Sequence, residues 1–494
     1  MQSLERYFEK FRRNVIGYGT KFTTPYGEVP LVYADWTASG RLYLPIEDKL
    51  SHEIGPFIGN THTETTTTGT AMTLAYKHAK EFIKRHVNAG EEDIILLAGS
   101  GMTGAIVKLQ RIMGLKFPEQ FENQLEIAEE DNPIVFISHM EHHSNHISWL
   151  ETICDVEIVR TTDNGLVDMA NLISLFEQYK NRKLKIVSLT ACSNVTGIQP
   201  EIGMLAKIAH SQGGLCFIDY ACSAPYVKID MHPEDEEEKL DAIFFSPHKF
   251  LGGPGSTGVL IFDSKLYHNK VPDRPGGGTV SWTSPWNEIG YLNDIEQRED
   301  GGTPPFMQTI KAALCIQLKE EMGIDNILKR EEEIVSRIFA RLPHIDRIHI
   351  LQDNITDRMG VISFHIEDIH YNLAVKLLND RYGIQMRGGC ACAGTYGHFL
   401  FYIRKNSSKN IKAKIDKGDL SSKPGWIRFS INPVMTNSEI DYILDALQEL
   451  VKNIDEWEKD YEYDAHTNEF FHKSGKRPGP ALVREWFSQL TPED

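Results

Sequence analysis

Ser246, His248 and Lys249 fall within Phe-Phe-Ser-Pro-His-Lys, between the apolar run ending at Phe245 and the glycine-rich Gly252-Gly253-Pro254-Gly255. An amine beside an imidazole and a hydroxyl, at the mouth of a flexible turn, is more than a solubilising lysine needs. Polar groups follow other apolar runs in the same way. Ser100-Gly101-Met102-Thr103-Gly104 follows Glu92–Gly99 and opens a helical pattern, where glycines, hydroxyls and free N–H groups suit a phosphate. His139, His142, His143 and His146 follow Asn132–Ser138. Asn194 follows the run ending at Ala191, and Asp219 closes Gly-Leu-Cys-Phe-Ile. Singly, each has a plain structural reading: a capped turn, surface or core histidines, a turn amide, a salt-bridged aspartate.

Jointly they fit one small molecule. Pyridoxal 5'-phosphate carries a phosphate, a flat ring, a phenolic oxygen, a pyridine nitrogen and an aldehyde. The aldehyde wants a lysine and the nitrogen an aspartate. On this reading Lys249 holds the cofactor and Asp219 faces its ring nitrogen. Ser246 and His248 lie near its phosphate. A metal site at the histidine cluster lacks a completing ligand set, so no metal is expected.

These groups need a frame that brings strand ends together. Seven apolar runs of strand length occur between Glu92 and Asp263, separated by helical patterns such as Asp168–Lys180 and Glu201–Gln212. Continuous rather than alternating apolar strands imply burial on both faces. Strand–helix alternation implies a mainly parallel sheet covered by helices. In such sheets ligands bind beyond the carboxyl ends of the strands. Past Thr303-Pro304-Pro305 the pattern changes to long helices, then to mixed elements, which predicts a smaller α+β domain from Gln308 onward. Arg404–Gly425 is basic and serine-rich, and is expected to be an exposed loop.

Composition narrows the function. The 494 residues, 41% of them hydrophobic, allow a large core. A net charge of -17, from 69 Asp+Glu against 52 Lys+Arg, opposes nucleic-acid binding as the main task. No apolar run approaches the roughly 18 residues of a spanning helix, and the N-terminus lacks a secretory apolar stretch. No membrane association is therefore expected. Seven dispersed cysteines, without Cys-x-x-Cys pairs, read as reduced thiols in the cytoplasm.

With these motifs the chain resembles class V aminotransferase-fold enzymes, and within them the cysteine desulfurase and selenocysteine lyase group. The likeness runs from about Tyr33 to about Pro433. It implies the pyridoxal-phosphate-dependent transferase fold type I, α/β, with a large mainly parallel domain (26–307) and a smaller α+β domain (308–494, with the basic insertion 404–425). Residues 1–25 would form an N-terminal segment packing with the small domain. It also implies roles. His142 stacks on the cofactor ring, Asn194 lies near the phenolic oxygen, and Gly101, Met102 and Thr103 form the phosphate turn. Gly276–Thr279 resembles a segment reaching the neighbouring subunit's cofactor through Thr279, hence a homodimer. Asp35–Ser39 resembles a substrate-side segment, with Ala38 and Ser39 near the substrate. Arg428 matches the arginine gripping the substrate carboxylate, a task for which a guanidinium fork is suited. Arg387 precedes Cys392, the position of a catalytic cysteine in short-loop desulfurases.

The chain departs from that pattern at three places. Cys222 stands where the family usually has Gln or His near the phenolic oxygen. Cys390 could compete with Cys392, and the basic segment after His398 could be a lid, a dock for an acidic partner, or a solvated loop. The expected function is conversion of L-cysteine to L-alanine, with Lys249 moving the Cα proton and Cys392 taking the sulfur for a sulfur-acceptor protein. The alternatives are an aminotransferase, epimerase or C–S/C–Se lyase without a persulfide, or a degenerate scaffold that only binds partners.

Overall fold

The computed structural model describes residues 3–124 and 126–488. The described residues divide into two compact units: those of 14–16 with 37–329, and those of 3–13, 17–36 and 330–488.

The larger unit is built on a seven-stranded sheet. Its strands are β1 (Asp93–Leu97), β2 (Ile134–Ser138), β3 (Asp155–Val159), β4 (Lys185–Thr190), β5 (Leu215–Asp219), β6 (Ala242–Phe245) and β7 (Val259–Asp263). Their order in the sheet is β1-β7-β6-β5-β4-β2-β3. β2 pairs parallel to β3 and β4, β4 to β5, and β5 to β6, while β7 runs antiparallel to both β1 and β6. The carboxyl ends of β1, β2, β4, β5 and β6 therefore share one edge with the start of β7. The central strands are apolar throughout because they are covered on both faces: β2 and β6 are buried at every position. Val135, Ile137, Phe217, Phe244 and Leu260 join Ile106 and Leu109 of helix Met102–Ile112 in one core. Burying each such side chain contributes about 1.5–3 kcal/mol.

Helix Phe306–Met322 belongs to this larger unit. Its Ile310 packs on Met72 and Ala79 of helix Thr67–His86, with Phe306 and Met307 alongside. The division between units consequently falls at Lys329/Arg330 rather than at Gln308, where the pattern of the sequence changes.

The smaller unit carries a four-stranded antiparallel sheet: β8 (Ile348–Ile350), β9 (Val361–Ile366), β10 (Arg387–Gly389) and β11 (Trp426–Ser430), in the order β8-β9-β11-β10. Helix Asn437–Trp457 begins with a Thr436/Glu439 capping box and buries Ile440, Ile443, Leu444, Leu447, Leu450 and Ile454 at helical spacing. The N-terminal helix Leu4–Arg12 belongs here too, with Glu5 accepting from the Asn437 N–H at 3.0 Å. Helix Tyr371–Tyr382 stops at Gly383, whose φ is +69°. A Cβ there would lie 1.7 Å from the Pro30 carbonyl oxygen, so only glycine allows the pairing of Val32–Tyr33 with Ile384–Gln385 that follows. That pairing carries the chain to Asp35, which bridges to Ser430 on β11.

The basic segment departs from expectation. Lys405–Ile415 is a helix, not a loop, though none of its residues is buried. No glycine or proline interrupts it before Gly418, and Lys412 pairs with Asp416 one turn on.

Candidate active site

Helix Met102–Ile112 follows β1, with Gly101 as its N-cap. The Met102 N–H donates to Ser246 Oγ at 2.8 Å, which joins the ends of β1 and β6. This corner is bare backbone by necessity. A Cβ on Gly101 would lie 2.9 Å from Ser246 Oγ and 3.4 Å from the His248 ring. One on Gly258, at the start of β7, would lie 2.3 Å from the Gly101 oxygen. Thr257 Oγ1 donates to the Gly99 oxygen at 3.0 Å. Glycines, hydroxyls and helix N–H groups in one corner can hold a phosphate. Beside it lies a cavity of about 520 Å³ lined by Leu97–Gly99, Thr257, Arg274 and Thr303–Gln308.

The lysine turn is held from several sides. Pro247–Lys249 form one 3-10 turn, with the Lys249 N–H on the Ser246 oxygen at 3.0 Å. The Gly40 N–H and Ser39 Oγ both donate to the His248 oxygen, at 2.9 and 3.2 Å, and Ala38 precedes them half-buried. A Cβ on Gly253 would lie 1.8 Å from the Pro247 oxygen. Burial, then the neighbouring Lys249 charge, lowers the His248 pKa to about 4, so its imidazole is neutral near pH 7.

Asp219 ends β5 and is almost wholly buried. Burial pushes its carboxyl up to about 6, against the Ala221 N–H bond at 2.8 Å and the positive charge of Lys249. A buried carboxylate that already feels the charge of one amine can take a second cationic partner, such as a protonated ring nitrogen. Asn194, after β4, is buried. Cys222 Sγ donates to the Ser193 oxygen at 3.8 Å, tying the β4 and β5 loops together.

His142 caps helix His143–Leu150, its Nδ1 accepting from the Ser144 N–H at 3.1 Å. Ser144 Oγ lies 2.6 Å from Thr103 Oγ1, so the imidazole and the Gly101–Thr103 turn are linked through two hydroxyls. Beneath it lies Glu141, which sequence reasoning passed over. Its Oε1 accepts from Ser138 Oγ at 2.5 Å and from the Thr190 N–H at 3.0 Å; its Oε2 accepts from Asn145 Nδ2 at 2.7 Å. Burial raises it to about 7 despite these donors, with a smaller contribution from Asp219. The other histidines of the cluster do not converge with it on an ion. Among the described residues no three His, Cys, Asp or Glu side chains could hold a metal.

Two raised carboxyls give a pH signature. In the cofactor-stripped protein Asp219 binds its proton more tightly folded than unfolded. Its contribution to stability is complete below the unfolded value of 3.8 and is lost as pH rises through about 6. Glu141 extends the fall toward about 7. Denaturant midpoints of wild type and Asp219→Asn, compared from pH 4 to 7, are expected to diverge in that sense. Parallel curves would contradict it.

Thr279 lies in the larger unit and is fully buried. Its hydroxyl donates to the Gly276 oxygen at 2.7 Å and accepts the Gly276 N–H at 3.2 Å, closing the glycine turn.

Arg428, Arg387 and Cys392 belong to the smaller unit, where a residue distant in sequence joins the two arginines. Asp35 Oδ1 accepts from Arg428 Nη2 at 2.7 Å, and Oδ2 accepts from Arg387 Nε at 3.0 Å. Arg428, facing Arg387 across β11 and β10, has a side chain only 4% exposed; that of Arg387 is 47% exposed. Burial opposes the Arg387 charge, but Asp35, with a smaller contribution from Cys392, raises its pKa above the ordinary value. Arg428 is therefore not a surface arginine. Cys392 is exposed and Cys390 partly so.

Residues 32–443 match the model of the family Aminotransferase class-V, and the chain belongs to that family. A probable cysteine desulfurase of Halalkalibacterium halodurans is 29% identical over 372 residues, covering 74% of this chain and 84% of that protein. One from Staphylococcus epidermidis is 29% identical over 369 residues, covering 74% and 83%. Among solved structures, the apo cysteine desulfurase of Thermococcus onnurineus superposes with a TM-score of 0.71 at 20% identity, over 90% of this chain and 98% of that one. The Escherichia coli cysteine desulfurase CsdA, in its S-sulfonic acid form, gives 0.68 at 19% identity, over 92% and 99%. The shared architecture is the type I fold, and the chain is an enzyme of this class.

Proposed function

We propose that the protein is a pyridoxal-phosphate-dependent cysteine desulfurase. The observations that support this reading are the burial of Asp219, which the charge of Lys249 reaches, and, at the same edge of the sheet, a glycine and hydroxyl corner that only bare backbone can form. The corner would hold the phosphate through Met102, Thr103, Ser246 and His248, and Asp219 would keep the ring nitrogen protonated. His142 would lie on the ring face, and Asn194 and Cys222 near its phenolic oxygen. When bound, the cofactor supplies an aldehyde for the substrate amine and a sink for electrons released at Cα.

The chain's own residues do the rest. Lys249 takes the Cα proton and returns one to the product. Arg428, oriented by Asp35, grips the substrate carboxylate, with Arg387 beside it and Ala38 and Ser39 shaping the substrate side. Cys392, as thiolate, attacks the substrate sulfur. The Cβ–S bond breaks, an S–S bond forms, and alanine leaves with a persulfide on Cys392. The working form would be a homodimer, with the Gly276–Thr279 segment reaching the neighbouring site. No cysteine is in a disulfide and no helix among the described residues is long and apolar enough to cross a membrane, which suits a cytoplasmic setting.

A panel of amino acids, with alanine, keto acid and sulfide measured as products, tests the reading. L-cysteine is expected to give alanine and, with added thiol, sulfide. Cys392→Ala should lose both while Cys390→Ala keeps them. Keto acid as the main product, or full activity in Cys392→Ala, would instead indicate a transaminase or lyase without a persulfide.

A further inference from the structure

The basic helix is ordered yet uncovered, and it is fastened to the cysteine segment. Ala391 and Cys392 both adopt left-handed backbone, φ 49° and 56°, and the Cys392 side chain is exposed. Helix Gly394–Leu400 starts directly after this turn. In its last turn His398 spans the Gly394 oxygen at 2.8 Å and Ser408 Oγ at 2.9 Å. Ser408 lies in helix Lys405–Ile415, so one imidazole fixes the basic helix to the helix that follows the thiol. Phe399 in that helix is 38% exposed, and Tyr402, between the two helices, is 87% exposed.

Charge sets this face apart. Residues 404–425 hold seven Lys and Arg against two Asp, a local +5 in a chain of -17. The remaining residues then sum to -22 (-17 minus +5). An acidic macromolecule is repelled by most of this protein and attracted to one helix, which both steers and orients its approach. Exposed aromatic side chains beside cations add the apolar contact that a protein interface uses.

We propose that Phe399, Tyr402 and the helix Lys405–Ile415 dock an acidic, thiol-bearing protein that receives sulfur from Cys392. This rests on the desulfurase reading for its chemistry. In the transfer, the acceptor thiolate attacks the outer sulfur of the Cys392 persulfide. The S–S bond to Cys392 breaks, its electron pair leaves as the Cys392 thiolate, and a new S–S bond forms on the acceptor. Atoms and electrons balance without any other reagent.

The test uses full-length holoenzyme and the variant Lys405→Glu/Lys409→Glu. Both positions lie in the first turns of the helix, where negative charge is favourable, so the helix should persist. The probes are a glutamate-rich peptide with one cysteine, its lysine-rich counterpart, and dithiothreitol. Alanine formation with dithiothreitol should be equal in both enzymes. Sulfur transfer to the glutamate peptide should fall about tenfold in the variant, and likewise in wild type at high salt. Transfer to the lysine peptide should be slow in wild type. Equal transfer to both peptides, or no loss on charge reversal, overturns the proposal. If neither enzyme makes alanine, the desulfurase reading fails. Fluorescence anisotropy then still decides docking: the labelled glutamate peptide should bind wild type and not the variant. Binding of a labelled RNA oligomer in place of the peptide, lost in the same variant, would overturn the proposal in favour of a nucleic-acid surface.

Discussion

Lys249→Ala is expected to lower turnover by about 10²–10⁴-fold, the span that a positioned acid–base group contributes. It is also expected to abolish trapping of the cofactor by borohydride: reduced wild type should gain the cofactor's mass on the peptide containing Lys249, and the variant none. The loss should be chemical and not structural. The turn at Lys249 is held by main-chain bonds from the Lys249 N–H to the Ser246 oxygen and from the Gly40 N–H to the His248 oxygen, and by the fit of Gly253 against the Pro247 oxygen. None of these uses the lysine side chain. Unfolding midpoints of the apo forms should therefore differ little, while Asp219, deprived of its nearby cation, should titrate still higher. Retention of activity within tenfold would remove Lys249 from the mechanism.

Arg428→Ala carries the second large effect, in two separable parts. Asp35 is held by Arg428 at 2.7 Å with side-chain exposures of 14% and 4%. Removing Arg428 leaves Asp35 with only the half-exposed Arg387 and is expected to cost about 1–3 kcal/mol of stability. Loss of the substrate's charge-assisted bonds should separately lower kcat/KM by roughly 10²-fold, mostly through KM. The double variant Asp35→Ala/Arg428→Ala separates the parts. It should recover part of the stability, because no buried carboxylate is left half-paired and the half-exposed Arg387 can turn to water, yet keep the raised KM. Recovery of KM along with stability would mean that Arg428 only props the fold.

The seven strands of the large sheet are legible because burial on both faces demands unbroken apolar runs. The reversal of β7 is not, since an apolar run carries no direction. For that reason the sequence does not show that Thr257 and Gly258 lie against Gly99 and Gly101, where the reversal brings them. Lys249, Asp219 and His142 were legible as polar groups at strand ends. Glu141 was hidden in a histidine-rich run, although its spacing from Ser138 and Asn145 matches the bonds it makes. The pairing of Asp35 with Arg428 spans 393 positions, and no local rule reaches so far. Lys405–Ile415 reads as part of a loop because the segment is basic and serine-rich. Helical spacing of its lysines and the Lys412–Asp416 pair outweigh that composition.

Glu141 has one consequence for how such a protein can change. Its oxygens bind a side chain and an N–H on two different strands, and an amide on the helix that His142 caps. A descendant sequence could rewrite the loops above the sheet to suit another amino acid. It could not alter Ser138 or Asn145 one at a time without leaving a buried carboxyl short of a hydrogen-bond donor. The imidazole's seat would thus be inherited nearly unchanged, while what lies over it is remodelled.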